Sequence, residues 1–363
     1  MTTPLITVGI PTYNRSTYLQ QAIASVQSQA YANYEILVID NASTDDTPEV
    51  MSRLLEQDPR IRYIRNELNL GMAGNWLRIT KYAAAPYLKF LMDDDLLKPG
   101  CLEAFSAAAT RSPDCSLYAC LADYVDEHGQ RLDLKWGRYV PDGVIPSELM
   151  LRYLLRWANQ IGCPTNVMFN TRSLRRHAEA IWKDTQNTWS CDYDMMIQVL
   201  TEGDFTCISE YLVSIRLHGQ SETSLLKQET MQHYEWETLK RLVAILGGGE
   251  AEWALAEACA VRNAMNRGFE ALYDGQVRTA ARFIRRCIQS PYGRKIFVTT
   301  ILQSKGRVLL PMKFLRQIFK PVFWAKRALR PIDWSDIGYR TPEMLAFWAQ
   351  KLPKIQTHGG VAR

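Results

Sequence analysis

The chain has 363 residues, of which 47% are apolar, and a net charge of +5. Such a chain is long enough for one large domain with additions or for two domains around a sizeable core. No run reaches the roughly 18–20 uninterrupted apolar residues of a membrane span, which excludes a transmembrane helix on sequence grounds. The eight cysteines include no Cys-x-x-Cys pair and no His at zinc-finger spacing. No signal peptide precedes the first strand, so they read as free, mostly buried thiols of a cytosolic protein.

The elements follow in order. Leu5 to Ile10 is a β-branched strand, broken by Pro11-Thr12-Tyr13-Asn14-Arg15. Leu19, Ala22, Ile23 and Val26 then recur at helical spacing. Glu35 to Ile39 is a second strand ending at Asp40-Asn41, and the cap-rich stretch from Ala42 to Pro48 opens a helix. Ile61 to Arg65 is a third strand, Asn66 to Gly71 a turn, and Met72 to Tyr82 a helix. Tyr87 to Met92 is a fourth strand, tipped by Asp93-Asp94-Asp95. Strands alternating with helices imply right-handed crossovers and a parallel sheet.

In open α/β sheets ligands bind at the carboxyl ends of the strands. The polar residues gather there: Thr12 and Tyr13, then Asp40, then Asn66 and Asn69, then the acid triplet. Three adjacent carboxylates repel one another unless a cation shares the site, and hard oxygen donors suit Mg2+ or Mn2+. Taken alone the triplet reads first as a solvated acidic turn, and the strand ends before it favour the site instead. No G-x-G-x-x-G follows the first strand and no P-loop motif occurs, which argues against a dinucleotide-dependent dehydrogenase and a P-loop NTPase.

Downstream, Leu102 to Ala109 reads as a helix, Ser116 to Leu121 as a strand and Asp126 to Gln130 as a turn. Arg131 to Val140 reads as partly extended. Ser147 caps a helix to Trp157, Thr165 to Phe169 is a short strand, and Thr171 caps the next helix. Asp192 and Asp194 open the helix from Cys191 to Leu200; acids there also suit the helix dipole, which leaves a capping role open. Gly203, a strand at Thr206-Cys207-Ile208, and Arg216-Leu217-His218 follow.

Four blocks, in this order and spacing, resemble family 2 of the inverting glycosyltransferases. They are Val8 to Arg15, Glu35 to Thr47, Asn69-Leu70-Gly71 and Phe90 to Asp95, and the resemblance covers about residues 5–220. It implies the GT-A fold, a Rossmann-like, mostly parallel sheet flanked by helices, and a nucleotide-sugar donor. UDP is the base implied first, with dTDP and GDP as alternatives. Pro11, Thr12, Tyr13, Asn14 and Arg15 would border the nucleotide, with the Tyr13 ring against the base. Asp40 would accept hydrogen bonds from the base, and Asn69 and Gly71 would line its pocket. Asp93 and Asp94 would contact the donor, and Asp93 and Asp95 a Mn2+ or Mg2+ ion. Met92 stands where the family often has an acid, which shifts the register of the D-x-D pair. Cys191 stands where the first acid of the helix-opening pair is common, so the resemblance assigns the general base to Asp192, with Asp194 in reserve. Arg216 and His218 would reach the diphosphate. An inverting transfer is one displacement at the anomeric carbon, so a single positioned general base suffices.

From about Lys227 the pattern turns helical: Glu229 to Leu246, Ala251 to Tyr273 and Gln276 to Ile288. Between Gly275 and Ile332 there are fourteen Lys or Arg and no Asp or Glu, with apolar residues interleaved. That pattern fits either a helix on an anionic membrane surface or a helical cap with a solvated basic face. It matches no nucleic-acid-binding motif, and no nucleic acid is expected. The division reads as a glycosyltransferase domain over 1–225, a basic helical region over 226–351 and a tail over 352–363. The function expected is transfer of a sugar to a saccharide or lipid-linked acceptor, in the cytoplasm or peripherally on the inner face of the membrane. The alternatives are a nucleotidyltransferase, for which the first loop lacks the glycines, and a non-catalytic sugar-nucleotide or membrane-binding protein.

Overall fold

The computed structural model describes residues 5–132, 140–181, 190–219, 228–273, 275–289, 346–347 and 350–351. Strands β1 (Ile6–Thr12), β2 (Tyr34–Asp40), β3 (Ile61–Arg65) and β4 (Tyr87–Phe90) alternate with helices α1 (Ser16–Gln27), α2 (Thr47–Gln57) and α3 (Gly71–Tyr82). Every residue of β1, β2 and β4 is buried. Strands covered on both faces need no polar alternation, which is why they read as continuous apolar runs. Next come β5 (Leu96–Leu97), α4 (Cys101–Arg111), β6 (Leu117–Val125), β7 (Arg131–Leu132) and β8 (Gly143–Ile145). Then follow α5 (Ser147–Trp157), β9 (Val167–Asn170), α6 (Thr171–Ile181), α7 (Cys191–Val199) and β10 (Phe205–Arg216). The chain continues through α8 (Gln228–Ile245), α9 (Glu250–Tyr273) and α10 (Val277–Gln289).

These strands form one ten-stranded sheet in the order β3-β2-β1-β4-β9-β6-β10-β5, with β7 on β6 and β8 on β10. The long ladders are parallel: β1 with β2 and β4, β2 with β3, and β6 with β10. β9 runs antiparallel between β4 and β6. Two reversals restore direction, so β6 and β10 point the same way as β4, and their carboxyl ends reach the edge that carries the acid triplet. The sheet is thus the mostly parallel one expected. The last strand, however, is longer than Thr206-Cys207-Ile208 and runs on to Arg216 through two register shifts. That extension delivers Arg216 and His218 to the functional edge.

Helices cover both faces. On one side α1 and α4 bury Leu19, Ile23, Leu102 and Phe105 against β1, β2 and β4. On the other, α3, α5, α6 and α7 bury Trp76, Leu154, Leu174 and Met196. Gly9 in β1 lets α3 approach closely: a Cβ there would lie 2.5 Å from Cγ2 of Ile79. The predicted C-terminal helices agree with α8, α9 and α10. Leu239, Leu242 and Val243 of α8 and Ala256 and Cys259 of α9 join the same core as Trp157. Arg152 of α5 pairs with Glu252 of α9 at 2.7 Å. Of the expected basic stretch only α10 lies within the described residues; residues 290–345 lie outside them, as do 133–139 of the expected extended segment. Cys101, Cys115, Cys120, Cys163, Cys191, Cys207 and Cys259 are free thiols.

Candidate active site

The loops after β1 and β2 are laced together. The Asn14 backbone amide donates to Ser43 Oγ at 2.9 Å, and Asn14 Oδ1 accepts from the Thr44 amide at 2.7 Å. The Ser16 amide donates to Asp45 Oδ2 at 3.1 Å, which fixes the start of α1. Asn14 and Ala42 both adopt positive φ, 53° and 64°, conformations that cost L-residues energy and are held by such lacing. The result presents Tyr13 outward, 44% exposed, above a buried Thr12. An exposed ring on a rigid loop is a platform for a flat partner.

Asp40 differs from expectation. It is fully buried, and its oxygens accept from the Ser43 amide and hydroxyl, from Tyr63 Oη at 2.7 Å, and face Arg65 Nε at 3.4 Å. With those donors in place, Asp40 shapes the β2–α2 loop rather than presenting an open acceptor. Burial and the Asp40 contact push the Tyr63 phenol well above its usual range, so it stays the donor in that pair. Asn69 and Gly71 form a turn bound to Asn41: Asn41 Nδ2 donates to Asn69 Oδ1 at 2.8 Å and to the Gly71 carbonyl at 3.1 Å.

The acid triplet is the centre of the edge. Thr12 Oγ1 donates to Asp93 Oδ2 at 2.8 Å. Arg15 Nη1 spans Asp93 Oδ1 at 3.2 Å and Asp94 Oδ2 at 2.8 Å. His218 Nε2 meets Asp94 Oδ2 at 2.9 Å. Asp95 Oδ1 accepts from the Arg216 amide at 2.9 Å, and its Oδ2 accepts from Thr165 Oγ1. Residues from four strand ends therefore meet at three carboxylates. The protonation equilibria of Asp93 and Asp95 are pushed upward, first by burial and next by the charge of Asp94.

Such a site is short of positive charge, and its hard oxygen donors fit Mg2+ or Mn2+. Among the described residues no group of three or more His, Cys, Asp or Glu side chains is arranged to hold a metal by itself. The fit is thus to a cation that takes one or two carboxylates and completes its shell with phosphate oxygens and water.

Arg216 also differs from expectation. Its Nε donates to the Asp94 carbonyl at 2.9 Å, Nη1 to the Asp126 and Glu127 carbonyls, and Nη2 to Gln21 Oε1 at 2.8 Å. Four of its five donors are thereby used, and the guanidinium stacks 4.8 Å from the centre of the Tyr18 ring. It ties α1, the β4 end and the β6–β7 turn together beneath His218, whose ring lies 5.4 Å from Tyr18.

The two acids of α7 separate. Asp192 is partly exposed in the first turn and its Oδ1 accepts from the Tyr193 amide at 2.7 Å. Asp194 is buried and turned to α8, where Thr238 Oγ1 donates to Oδ1 at 2.7 Å and Arg241 Nη1 pairs with Oδ2. Sequence reading passed over Thr165, Tyr18, Gln21 and Tyr63, each of which touches this region from a distant element, and Lys89, which lies in β4 itself.

The comparisons agree with this architecture. The Glycosyl transferase family 2 profile matches residues 7–178. An uncharacterized glycosyltransferase of Methanocaldococcus jannaschii is 25% identical over 244 residues, 66% of this chain and 80% of that one. The GalNAc(5)-diNAcBac-PP-undecaprenol beta-1,3-glucosyltransferase of Campylobacter jejuni is 37% identical over 107 residues, 29% of this chain and 35% of that enzyme. Among solved structures, S. aureus TarS 1-349 in complex with UDP aligns with a TM-score of 0.52 at 16% identity, over 87% of this chain and 86% of that one, a likeness of fold. The chain is a glycosyltransferase. Residues 7–178 match glycosyltransferase family 2, and the fold is the GT-A fold.

Proposed function

We propose that the protein is a metal-dependent, inverting glycosyltransferase that moves a sugar from a nucleoside diphosphate to a hydroxyl of a saccharide or lipid-linked acceptor in cell-surface glycan assembly. The observation that carries this reading is the meeting of Thr12, Arg15 and His218 on Asp93 and Asp94 at the carboxyl edge of the sheet. Buried carboxylates beside two basic side chains suit a cation and a diphosphate together.

In this reading Tyr13 stacks on the base, Pro11, Thr12 and Asn14 border the nucleotide, and Asn69 and Gly71 wall its pocket. Asp40 acts one step removed, by holding the loop. A UDP-sugar is the donor proposed first. Mn2+ or Mg2+ on Asp93 and Asp95 would supply charge neutralisation for the leaving diphosphate. Arg15 and His218 each have donors aimed at Asp94 that can turn to phosphate oxygens. The acceptor oxygen bonds to the anomeric carbon as the carbon–oxygen bond to the diphosphate breaks. The acceptor proton passes to Asp192, and the nucleoside diphosphate leaves with the bond's electron pair. One displacement inverts the anomeric centre. Asp194, turned to Thr238 and Arg241 of α8, stays in reserve in this reading.

A lipid-linked acceptor requires access to a membrane. No helix among the described residues is long and apolar enough to cross one. Helix α10 buries Ala280 and Phe283 and exposes Arg278, Arg282 and Arg285. Ala280 and Phe283 are used by the fold, and contact with anionic headgroups would be made through the exposed arginines. The test of the central claim is a panel of UDP-, dTDP- and GDP-sugars with Mn2+, Mg2+ or EDTA, reading thermal shift and nucleotide release. A protein that no nucleoside diphosphate stabilises in the presence of metal does not have this function.

A further inference from the structure

We propose that Lys89 is a positioning residue for the acid triplet, acting through Thr165; the inference rests on the reading of that triplet as the donor anchor. Lys89 lies in β4 and is fully buried. Side chains alternate along a strand, and Tyr87 and Leu91, on the same side as Lys89, belong to the core that holds Cys101 and Phe105. Lys89 Nζ donates to the Phe90 carbonyl at 3.0 Å and to the Thr165 carbonyl, and stands 5.2 Å from the centre of the Phe105 ring. Two carbonyls and an aromatic face occupy the three donors of an ammonium.

Packing alone does not account for a lysine here. Burying an ammonium costs several kcal/mol, and a methionine would fill similar space without that cost. No ion pair to Lys89 occurs among the described residues. What the lysine does is join β4 to the turn before β9. Thr165, whose carbonyl it holds, accepts from the Met92 amide at 3.1 Å through Oγ1 and donates the same hydroxyl to Asp95. Asn166, next in the turn, donates Nδ2 to the Cys120 carbonyl at 2.9 Å, which pins the turn to β6 as well. The backbone of Thr165 is thereby fixed by Lys89 while its side chain orients Asp95. Lys89 also places a positive charge one hydrogen-bonded residue away from Asp95.

The test compares wild type with Lys89→Met, Thr165→Val and the double variant. The readout is binding of UDP with Mn2+ by calorimetry, at a temperature well below each unfolding midpoint. Groups that orient a metal-binding carboxylate typically contribute about ten- to a hundredfold in affinity, so each single variant is expected to bind at least about tenfold more weakly. Because both act through one link, the double variant is expected to be no weaker than the weaker single. A Lys89→Met protein that binds as tightly as wild type, whatever its melting temperature, overturns the inference, and so do losses that multiply in the double variant. Should Lys89→Met not fold, Lys89→Gln is read in its place, with a three- to tenfold loss expected and unchanged binding overturning the idea. A wild-type protein that binds no nucleoside diphosphate with metal removes the donor reading and this inference with it.

Discussion

Replacing Asp192 and Asp194 one at a time should separate chemistry from architecture. Asp194 is 2% exposed and accepts from Thr238 and Arg241 of α8. Truncation to alanine removes one neutral and one charge-assisted hydrogen bond, worth about 1 and about 1.5–3 kcal/mol. Arg241 is 40% exposed and can turn to water, so the penalty for a stranded charge is partly relieved. Thr238 keeps Ser190 Oγ at 3.0 Å. The sum is about 2–3 kcal/mol, or roughly 5–10 °C in melting temperature for a domain of this size. Below its melting temperature Asp194→Ala should retain turnover within a few-fold. Asp192→Asn is expected to do the reverse. Its melting temperature should move by less than about 0.5 kcal/mol equivalent, as for a surface position. Transfer should fall by about 10²–10⁴, the contribution of a general base, with UDP and Mn2+ binding unchanged. The assay pairs thermal unfolding with initial rates of nucleotide release at 15 °C. An Asp194→Ala protein with normal stability and no turnover, beside an active Asp192→Asn, would refute the assignment.

Other outcomes follow from the same contacts. Asp95→Asn should abolish the rise in melting temperature that Mn2+ with UDP gives the wild type, while the apo variant melts no lower, because a buried and crowded carboxylate has been neutralised. Asp58 is held by Arg60 at 2.8 and 2.9 Å and by Gln27 at 3.0 Å, and Arg60 chiefly lowers its pKa to about 2. A depressed acid contributes stability above its ordinary value near 4 that is lost as pH falls through the folded value, so this pair should contribute about 1–2 kcal/mol at neutral pH and vanish between roughly pH 4 and 2; urea melts of Asp58→Asn should show a flatter acid limb. Charge reversal at Arg278, Arg282 and Arg285 should release the protein from vesicles containing phosphatidylserine at 50 mM salt, and wild-type binding should fade by 500 mM. Sedimentation that survives reversal together with deletion of residues 290–330 would refute a membrane contact made through this basic region.

The central strands were legible because they are largely apolar runs bounded by turn residues, and the acid triplet because three charges cannot follow such a run into the core. The partners were not. Thr165 lies 70 residues from Asp95, and His218 lies 124 from Asp94. Only the antiparallel insertion of β9, and the extension of β10 beyond its predicted end, bring them to the triplet. Lys89 was hidden for the opposite reason: a lysine in a central strand contradicts the pattern, and what resolves the contradiction is two backbone carbonyls and an aromatic ring, which leave no mark in sequence. Arg216 and Asp40 show a related limit. Their residue types suit a ligand, but burial took up most of their hydrogen-bonding capacity from within.

The pair in α7 was more decidable than it first looks. Residues two apart on a helix are rotated by about 200°, so Asp192 and Asp194 were bound to face nearly opposite ways. Only one of them could look into a cleft, and the other had to meet whatever packed behind. The helical pattern from Glu229 onward supplied that second surface: α8 brings Thr238 and Arg241, a hydroxyl and a cation, against Asp194. The C-terminal helices thus bear on the chemistry without touching substrate. By packing Leu239, Leu242 and Val243 into the core that also holds Cys191, Met195 and Met196, they support the rotation of α7 that leaves Asp192 partly exposed, and the Asp194 contacts add to that hold. Shortening the chain before α8 should therefore disturb turnover more than donor binding, since the triplet is built at the ends of β1, β4, β9 and β10, while the orientation of the proposed base depends on α8.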